Sequence, residues 1–325
     1  MLYVGSYTDI RAYDAGSLAP VTATAAVPAP SFLAAHPRAP VLYAVSELPE
    51  GSVSSLAIGP SGALRPLSRQ PSGGASPCHL AIDGQGSHLL CANYGGGVAL
   101  FALAAGGSLA GPPVDLVRHE GAGGAREGAA SHPHHVSLRG DFRAAEVTVV
   151  DLGMDALYGY TIESARLRRT WVAHARPGAG PRHLATHPSG HRYVADELSS
   201  TVSTYAQEPD GGLRLTATVP ATLVTPADRN YPAEIAVSGD GRFVYVANRG
   251  NDSITTFSVT ADGLRAVDEV PTGGAWPRHF ALAGARMYVA NQRSDSVTVL
   301  RVDDGAPRPT GALIEAANPS CVLVV

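Results

Sequence analysis

Short runs of alternating apolar and polar residues cover the chain and are separated by Gly, Pro, Asn and Asp. Residues 253–257 (Ser-Ile-Thr-Thr-Phe) form one such run, and more continuous apolar runs such as residues 244–248 end in Asn or Asp. A period of two predicts β-strands, and no helical period of useful length competes with it. The pattern therefore predicts an all-β protein.

These predicted strands recur as a repeated unit. Residues 76–82 (Ser-Pro-Cys-His-Leu-Ala-Ile) resemble residues 180–186 and 276–282, with a proline at the second place of each. This anchor proline recurs about every 40 to 50 residues, at Pro30, Pro77, Pro133, Pro181, Pro232, Pro277 and Pro319. Each unit predicts four strands, with Asn or Asp ending the second and a Gly-Leu turn opening the fourth. Four antiparallel strands per unit are typical of a propeller blade.

The two ends of the chain complete one unit. Residues 319–325 supply a first strand, whereas residues 2–6 and 9–13 match a second and a third strand. We therefore predict a seven-bladed β-propeller with residues 1–325 as a single domain. One blade combines strands from both termini, which removes a free sheet edge.

Equivalent positions in the units are expected to line one mouth of the propeller, because the first strand starts where the second one ends. One residue after the anchor proline stand Ser31, Cys78, His134, Arg182, Ala233, Arg278 and Ser320. Two residues after it stand Phe32, His79, His135, His183, Glu234, His279 and Cys321. After the second strand stand Tyr7, Glu47, Tyr94, Leu152, Glu197, Arg249 and Gln292.

Arg, His and Glu at these positions are concentrated in blades 3 to 6, counted from the unit of Pro30. This asymmetry predicts a single off-axis site, in which Arg182, Arg249 and Arg278 offer planar donors to an anion. The alternative is that these Arg and His side chains satisfy neighbouring carbonyls and water in a wet channel. We interpret Glu234, His135, His183 and Arg278 as substrate-binding residues.

Composition narrows the class of ligand. The chain has 325 residues, 16% of them charged, and a formal net charge of −4. Neither long runs of like charge nor apolar runs of membrane-spanning length occur, so we expect no nucleic-acid partner and no membrane partner. We expect a soluble cytoplasmic protein, and the many Arg and His residues at the mouth favour a small anion as its ligand. The oligomeric state is left open. Cys78, Cys91 and Cys321 have no metal-ligand spacing, and we interpret Cys78 and Cys91 as buried thiols rather than a disulfide.

Other chemistries have weaker support. His132, His134 and His135 stand on one predicted strand, where successive side chains point to opposite faces, so we expect that they do not converge on a metal. The sequence Gly-x-Ser-x-Gly is absent, which argues against a serine hydrolase. Residues 118–131 form a Gly-rich link with His119, Arg126 and Glu127 that is either a flap over the site or a surface excursion. We expect neither a metal nor a cofactor.

Several segments resemble a known family. Residues 131–136 (Ser-His-Pro-His-His-Val), 180–202, 233–254 and 277–297 resemble the seven-bladed lactonase family, and the resemblance covers nearly the whole chain. This family includes propeller-type 6-phosphogluconolactonases and fungal carboxymuconate lactonizing enzymes. The resemblance implies a catalytic set of His134, Arg182, Glu197 and a further Arg, best matched by Arg249 with Arg278 as a second candidate.

With this resemblance, the leading hypothesis is hydrolysis of a sugar-acid lactone, and the expected ligand is a small anionic lactone or sugar acid. Glu197 or His134 is the candidate base, and Arg182 and Arg249 are candidates to hold the oxyanion or an anionic substituent. We expect Arg182 and Glu197 to pair, and Arg249 and Arg278 to be unpaired. The alternatives are a carboxymuconate-type lactonizing cycloisomerase and a non-enzymatic propeller that binds a ligand or protein on one face.

Overall fold

The protein is described from a computed structural model, which covers residues 1–24, 26–120, 130–139, 146–261 and 263–325. Its strands are rich in apolar and β-branched residues, and nearly all of the regular structure described is β. A 3₁₀ turn, Gln292–Ser294, lies in the sixth blade. Within the described ranges no helix is long and apolar enough to cross a membrane.

Within the described residues, twenty-eight strands form seven four-stranded antiparallel sheets. The first three strands are β1 (Leu2–Ser6), β2 (Ile10–Tyr13) and β3 (Pro20–Thr24). Blade 1 contains β4 (Leu33–Ala35), β5 (Val41–Ser46), β6 (Ser52–Ile58) and β7 (Leu64–Pro71). Blade 2 contains β8 (Pro77–Ile82), β9 (His88–Asn93), β10 (Gly97–Ala102) and β11 (Asp115–Val117). Blade 3 contains β12 (Pro133–Arg139), β13 (Glu146–Asp151), β14 (Ala156–Glu163) and β15 (Arg166–His174).

The remaining blades follow the same order. Blade 4 contains β16 (Pro181–Thr186), β17 (Arg192–Asp196), β18 (Thr201–Gln207) and β19 (Leu213–Pro220). Blade 5 contains β20 (Tyr231–Val237), β21 (Phe243–Arg249), β22 (Ser253–Thr260) and β23 (Gly263–Pro271). Blade 6 contains β24 (Pro277–Ala283), β25 (Arg286–Asn291), β26 (Ser296–Asp303) and β27 (Ala306–Glu315). Blade 7 joins β28 (Pro319–Val324) to the first three strands of the chain, in the order β28-β1-β2-β3.

The innermost strands form a closed ring. Each of β4, β8, β12, β16, β20, β24 and β28 contacts the innermost strand of both neighbouring blades. Strand β28 pairs with β1 in register from Leu2 opposite Val324 to Gly5 opposite Cys321. The prediction of a seven-bladed propeller closed by strands from both termini is therefore confirmed.

The core lies between the blades, where apolar faces of adjacent sheets pack together. One cluster, for example, joins Leu90 and Val98 of blade 2 to Val147 and Tyr158 of blade 3. Cys78 packs in that cluster and Cys91 in the next one, and both thiols are free and buried, as predicted.

The Asn or Asp that ends the second strand has a structural role in several blades. Nδ2 of Asn248 donates to the hydroxyl of Thr255 at 2.9 Å, and Nδ2 of Asn291 donates to that of Thr298 at the same distance. In blade 4 the carboxylate of Asp196 accepts from Ser203 at 2.6 Å. These buried bonds tie the second strand to the third, so the recurring Asn or Asp is explained by the fold.

Candidate active site

A β-bulge opens the innermost strand of several blades and decides which side chains reach the channel. The register shifts between Pro133 and His135 in blade 3, and between Pro181 and His183 in blade 4. The residue after the proline is therefore extra and unpaired, and a bulge of this kind re-aims its side chain. Blades 2 and 6 show the same shift after Pro77 and Pro277.

The bulge corrects one sequence-based expectation. The rings of His134 and His135 both lie 5.2 Å from the ring of His183, centroid to centroid. Simple alternation predicts that these consecutive residues point to opposite faces. Alternation is wrong here because the bulge interrupts the pleat between Pro133 and His135.

A cavity of about 250 Å³ opens at the end of the channel where the innermost strands begin. Its lining residues come from six blades and are Glu47, Ser76, Cys78, Tyr94, His134, Glu197, Arg249 and Arg278. The concentration of polar residues in blades 3 to 6 predicts an off-axis site. That prediction is too narrow, because Glu47 of blade 1 and Tyr94 of blade 2 also form the wall.

One carboxylate joins blades 4 and 5 on one side of the cavity. Oε2 of Glu197 lies 3.1 Å from Nε of Arg182 and 2.7 Å from Nη2 of Arg249. The predicted pair of Arg182 and Glu197 is present. The expectation that Arg249 is unpaired is wrong, because Arg249, at the end of β21, places its guanidinium on the same carboxylate. Arg249 also donates to the carbonyl of Tyr231 at 3.1 Å.

The opposite side of the cavity holds a looser group of charges. Nη2 of Arg278 lies 3.8 Å from Oε2 of Glu47, and the hydroxyl of Tyr7 donates to the same oxygen at 3.0 Å. Arg278 therefore has Glu47 as a distant ion-pair partner, contrary to the expectation that it is unpaired. Two anionic and three cationic side chains surround the cavity, since Arg182 lies just behind Glu197. Their sum leaves one positive charge for an anionic ligand.

His134 lies between these two walls. Its ring is 5.9 Å from that of Tyr94, edge to face, and its Nδ1 has no hydrogen-bond partner among the described residues. His132 does not reach the cavity: it stacks on Tyr94 at 4.2 Å and shares a hydrogen bond with the carbonyl of Tyr94. His132 therefore supports the wall, whereas the ring of His134 lines the cavity with its Nδ1 buried.

A second layer of polar side chains lies deeper in the channel. Oε2 of Glu234 is 3.0 Å from Nδ1 of His183 and 3.2 Å from Nε2 of His279. The ring of His79 lies 4.1 Å from that of His135 and 5.2 Å from that of His183. Of the four predicted substrate-binding residues, Arg278 lines the cavity, whereas His135, His183 and Glu234 form this layer beneath it. Their role in binding stays a prediction.

Burial and like charge shift the titration of the site. Burial lowers the pKa of His134 well below its ordinary value, and Arg182, Arg278 and Arg249 lower it further. Burial opposes ionisation of Glu197, but Arg249 and Arg182 outweigh it and hold the pKa of Glu197 below its ordinary value. At neutral pH the site therefore has a neutral His134 beside an ionised Glu197.

In the deeper layer, the pKa of the carboxyl group of Glu234 shifts in the opposite direction to that of Glu197. Burial raises the pKa of Glu234 well above that of an ordinary glutamate, although Arg182 opposes the effect. Burial lowers the pKa of His279 to about 3, with Arg182 and Arg278 acting in the same direction. The layer thus carries little charge beneath the cationic cavity.

Several lining residues carry no signal of their own in the sequence. Glu47, Tyr94 and Cys78 stand in the aligned positions of the blades, but their side chains alone do not indicate a role. The signal that finds Glu47 is its position directly after the second strand, the position that Glu197 occupies in blade 4.

The Gly-rich link of residues 118–131 is described at its two ends. Nδ1 of His119 shares a 2.6 Å hydrogen bond with Asp151, and the hydroxyl of Ser131 donates to the same carboxylate at 2.6 Å. Asp151 therefore holds both ends of the link. Residues 121–129, which include Arg126 and Glu127, lie outside the described residues. The question of whether the link is a flap therefore stays open.

The site does not resemble a metal centre. No group of three or more His, Cys, Asp or Glu residues in the described ranges has an arrangement that could hold a metal ion. In the deeper layer Glu234 shares one oxygen with two imidazoles, His183 and His279, at hydrogen-bond distance. That a metal and a cofactor are absent from the reaction stays a prediction.

Comparison with known proteins agrees with the fold. The family model "Lactonase, 7-bladed beta-propeller" matches residues 1–324. The chain belongs to this family of propeller lactonases, and the resemblance inferred from the sequence is confirmed.

Two curated relatives carry the same name. A 6-phosphogluconolactonase of Bacillus subtilis is 32% identical over 307 residues, which cover 90% of this chain and 86% of the relative. One of Formosa agariphila is 30% identical over 333 residues, covering 93% and 92%. Among solved structures, the periplasmic gluconolactonase of Pseudomonas aeruginosa superposes with a TM-score of 0.87 at 29% identity, covering 99% of this chain and 98% of that one.

Proposed function

We propose that this propeller hydrolyses a δ-lactone of a sugar acid, and that 6-phosphogluconolactone is its substrate. The observation that carries the proposal is the cavity itself, where Arg182 and Arg249 share one carboxylate beside the imidazole of His134. The names of two relatives support this choice of substrate, because both are 6-phosphogluconolactonases that match this chain over most of their length. The reaction needs no cofactor.

Lactone opening requires attack by water and stabilisation of the oxyanion that forms. In our proposal water adds to the lactone carbonyl carbon and passes a proton to the imidazole of His134. The guanidinium groups of Arg249 and Arg278 bind the oxyanion. The carbon–oxygen bond of the ring then breaks, and the departing alkoxide takes the proton from His134. The product is an open-chain hydroxy acid, which ionises in water.

Glu197 and His134 are both candidates for the base, and we assign that role to His134. The carboxylate of Glu197 is already ion-paired with two guanidinium groups, which lowers its basicity. The pKa of His134 is depressed partly by Arg182, Arg278 and Arg249. An anionic substrate offsets those charges, so binding returns the imidazole towards a pKa at which it can accept a proton. Glu197 then orients Arg182 and Arg249.

The test is release of acid from 6-phosphoglucono-δ-lactone, followed in a pH-stat against the uncatalysed rate. Catalysis by the parent, lost in His134→Gln, supports the proposal. Absence of catalysis on both phosphorylated and unphosphorylated δ-lactones contradicts it. The compartment in which the protein works stays a prediction, since one related gluconolactonase is named as periplasmic.

A further inference from the structure

Trp276 occupies a backbone position that disfavours a large side chain. The residue before the anchor proline has a positive φ in five blades: 46° at Ala29, 51° at Ser76, 61° at Gly180, 64° at Trp276 and 48° at Asn318. The turn into the innermost strand therefore requires the left-handed conformation, which small residues and Asn adopt more readily than a bulky aromatic residue. The other four blades have such residues. The fold alone gives no reason for tryptophan, so its ring needs a separate explanation.

The ring of Trp276 lies in a chain of aromatic and guanidinium groups at the edge of the cavity. The guanidinium carbon of Arg293 lies 3.4 Å from the ring centroid of Trp276, and that of Arg249 lies 5.6 Å from it. Tyr231 lies 5.7 Å from Trp276, and Arg229 lies 5.0 Å from the ring of Tyr231. We call Arg229, Tyr231, Trp276 and Arg293 the aromatic–arginine rim.

The rim continues directly from the cavity. Arg249 lines the cavity and donates to the carbonyl of Tyr231 at 3.1 Å, so its side chain joins the two surfaces. Arg249 is itself committed to Glu197 at 2.7 Å. Arg229 and Arg293 are exposed on the outer side of it.

Among the described residues, the two exposed arginines of the rim lack carboxylate partners. Neither Arg229 nor Arg293 has a carboxylate within ion-pair distance in the described part of the chain, and Arg229 donates one long hydrogen bond to the carbonyl of Leu198. Ion pairs are present elsewhere on the surface, at Arg214 with Glu208, Arg242 with Asp240, Arg301 with Asp303 and Arg308 with Asp268. Beside the cavity, the rim therefore holds two guanidinium groups that are not engaged in an ion pair with any described residue.

A guanidinium group held flat against an aromatic ring keeps its N–H donors free at its edge. Those donors match two oxygens of a phosphate, and Arg is suited to such bidentate recognition. The aromatic face restricts the side chain before the ligand arrives, which reduces the entropy lost on binding. A phosphate monoester carries close to two negative charges at neutral pH. The charge of the rim fits such a group.

We propose that the aromatic–arginine rim binds the phosphate of a phosphorylated sugar lactone, while the lactone ring occupies the cavity. This inference rests on the proposed function for the identity of the substrate. Arg293 supplies donors to the phosphate oxygens, and Trp276 holds Arg293 in place. Arg229 contributes charge from the neighbouring blade.

The proposal is tested by calorimetric titration with 6-phosphogluconate and gluconate, two product acids that differ only in the phosphate. The parent should bind 6-phosphogluconate more tightly, and Arg293→Gln should reduce the ratio of the two affinities by about 3- to 10-fold, the effect of one charge-assisted hydrogen bond at an exposed site. Arg301→Gln is the matched control, because Arg301 is an exposed arginine of the same blade that pairs with Asp303. Its affinity ratio should equal that of the parent.

A second variant separates ligand binding from folding. Trp276→Asn introduces the residue that blade 7 has at the same position, and Asn accepts the left-handed backbone. It should keep or raise the melting temperature and reduce the affinity ratio as Arg293→Gln does.

Two results would overturn the proposal: equal affinity of the parent for the two acids, including no binding of either, or an unchanged ratio in both rim variants. Turnover does not enter these measurements. A parent that discriminates between the acids but hydrolyses no lactone would therefore contradict the proposed function and leave the rim as a phosphate site.

Discussion

Oε2 of Glu197 lies 2.7 Å from Nη2 of Arg249, although the two residues belong to adjacent blades. The same oxygen lies 3.1 Å from Nε of Arg182, whose side chain is almost completely buried. One carboxylate therefore fixes two guanidinium groups at the side of the cavity. Preorganised donors of this kind stabilise a developing oxyanion more than flexible ones, because they need not reorient during the reaction.

Replacement of Glu197 tests that arrangement. Glu197→Gln keeps the size of the side chain but removes the charge that orients Arg182 and Arg249. We expect kcat for lactone hydrolysis to fall by about 10²-fold or more, with a smaller change in KM. Steady-state kinetics with the background rate subtracted, and circular dichroism to verify folding, would measure this. A folded variant with the parent rate would show that the carboxylate has no part in catalysis.

Removing the cation gives a complementary result. Arg182→Ala leaves Glu197 bonded to Arg249 alone. We expect mainly a higher KM if Arg182 attracts the anionic group of the substrate, and mainly a lower kcat if it stabilises the oxyanion through Arg249 and Glu197. Exposed Arg265→Ala, in an outer strand of blade 5, is the control and should change neither constant. An Arg182→Ala enzyme with both constants unchanged would remove Arg182 from the site.

The pH profile separates His134 from an ordinary histidine. Burial and then Arg182, Arg278 and Arg249 lower its pKa, so the free protein keeps His134 neutral well below pH 6.5. The value of kcat/KM for unphosphorylated glucono-δ-lactone should therefore show no acid limb at the ordinary histidine pKa. The acid limb of the parent should instead lie at lower pH. Arg182→Gln removes one of the positive charges and should move this limb to higher pH. An acid limb near pH 6.5 in the parent would contradict the lowered pKa of His134.

The raised pKa of Glu234 should affect how the stability of the folded protein depends on pH. Burial favours its protonated form in the folded protein, whereas the unfolded chain ionises it in the usual range. The folded state thus retains a proton that the unfolded state loses, and this group's contribution to stability declines as pH rises above the ordinary glutamate pKa. Glu234→Gln, which resembles the protonated acid, should raise the melting temperature more at pH 8 than at pH 5. Equal shifts at both pH values would show that Glu234 ionises normally.

Most of the fold could be predicted from the sequence because the pattern is repeated. Seven anchor prolines and the alternating strands between them define the blades, and the split of one blade between residues 2–13 and 319–325 follows from the count. The positions that line the mouth also follow, since equivalent residues in a repeat occupy equivalent places. For this reason the sequence alone is enough to group Arg182, Glu197 and Arg249.

Other features of the site depend on geometry that the repeat does not encode. A bulge after Pro133 turns both His134 and His135 inwards, although strand alternation predicts the reverse. Arg249 reaches back to Glu197 across a blade boundary, and the sequence gives no sign of which carboxylate it would choose. Glu47 stands where Glu197 stands in blade 4, yet its neighbours, Tyr7 and Arg278, come from blades 7 and 6. Contacts between blades are set by three-dimensional packing rather than by order in the repeat.

The closure of the ring gives a final prediction. Strand β28 is the innermost strand of blade 7: it pairs with β1 and contacts β24 and β4 on either side. Its residues Cys321 and Val322 are almost completely buried. Each such side chain contributes about 1.5 to 3 kcal/mol by burial, and a domain of this kind has a net stability of roughly 5 to 15 kcal/mol.

Deletion of residues 319–325 removes that strand and exposes the inner edge of β1. We expect loss of the cooperative thermal transition, or a melting temperature lowered by more than about 10 °C, together with aggregation through the open edge. Deletion of Val325 alone, an exposed residue after the strand, should leave the melting temperature nearly unchanged. If the protein without residues 319–325 melts at the parent temperature, β28 does not close the propeller. No other element could replace the buried contacts of an innermost strand without a measurable loss of stability.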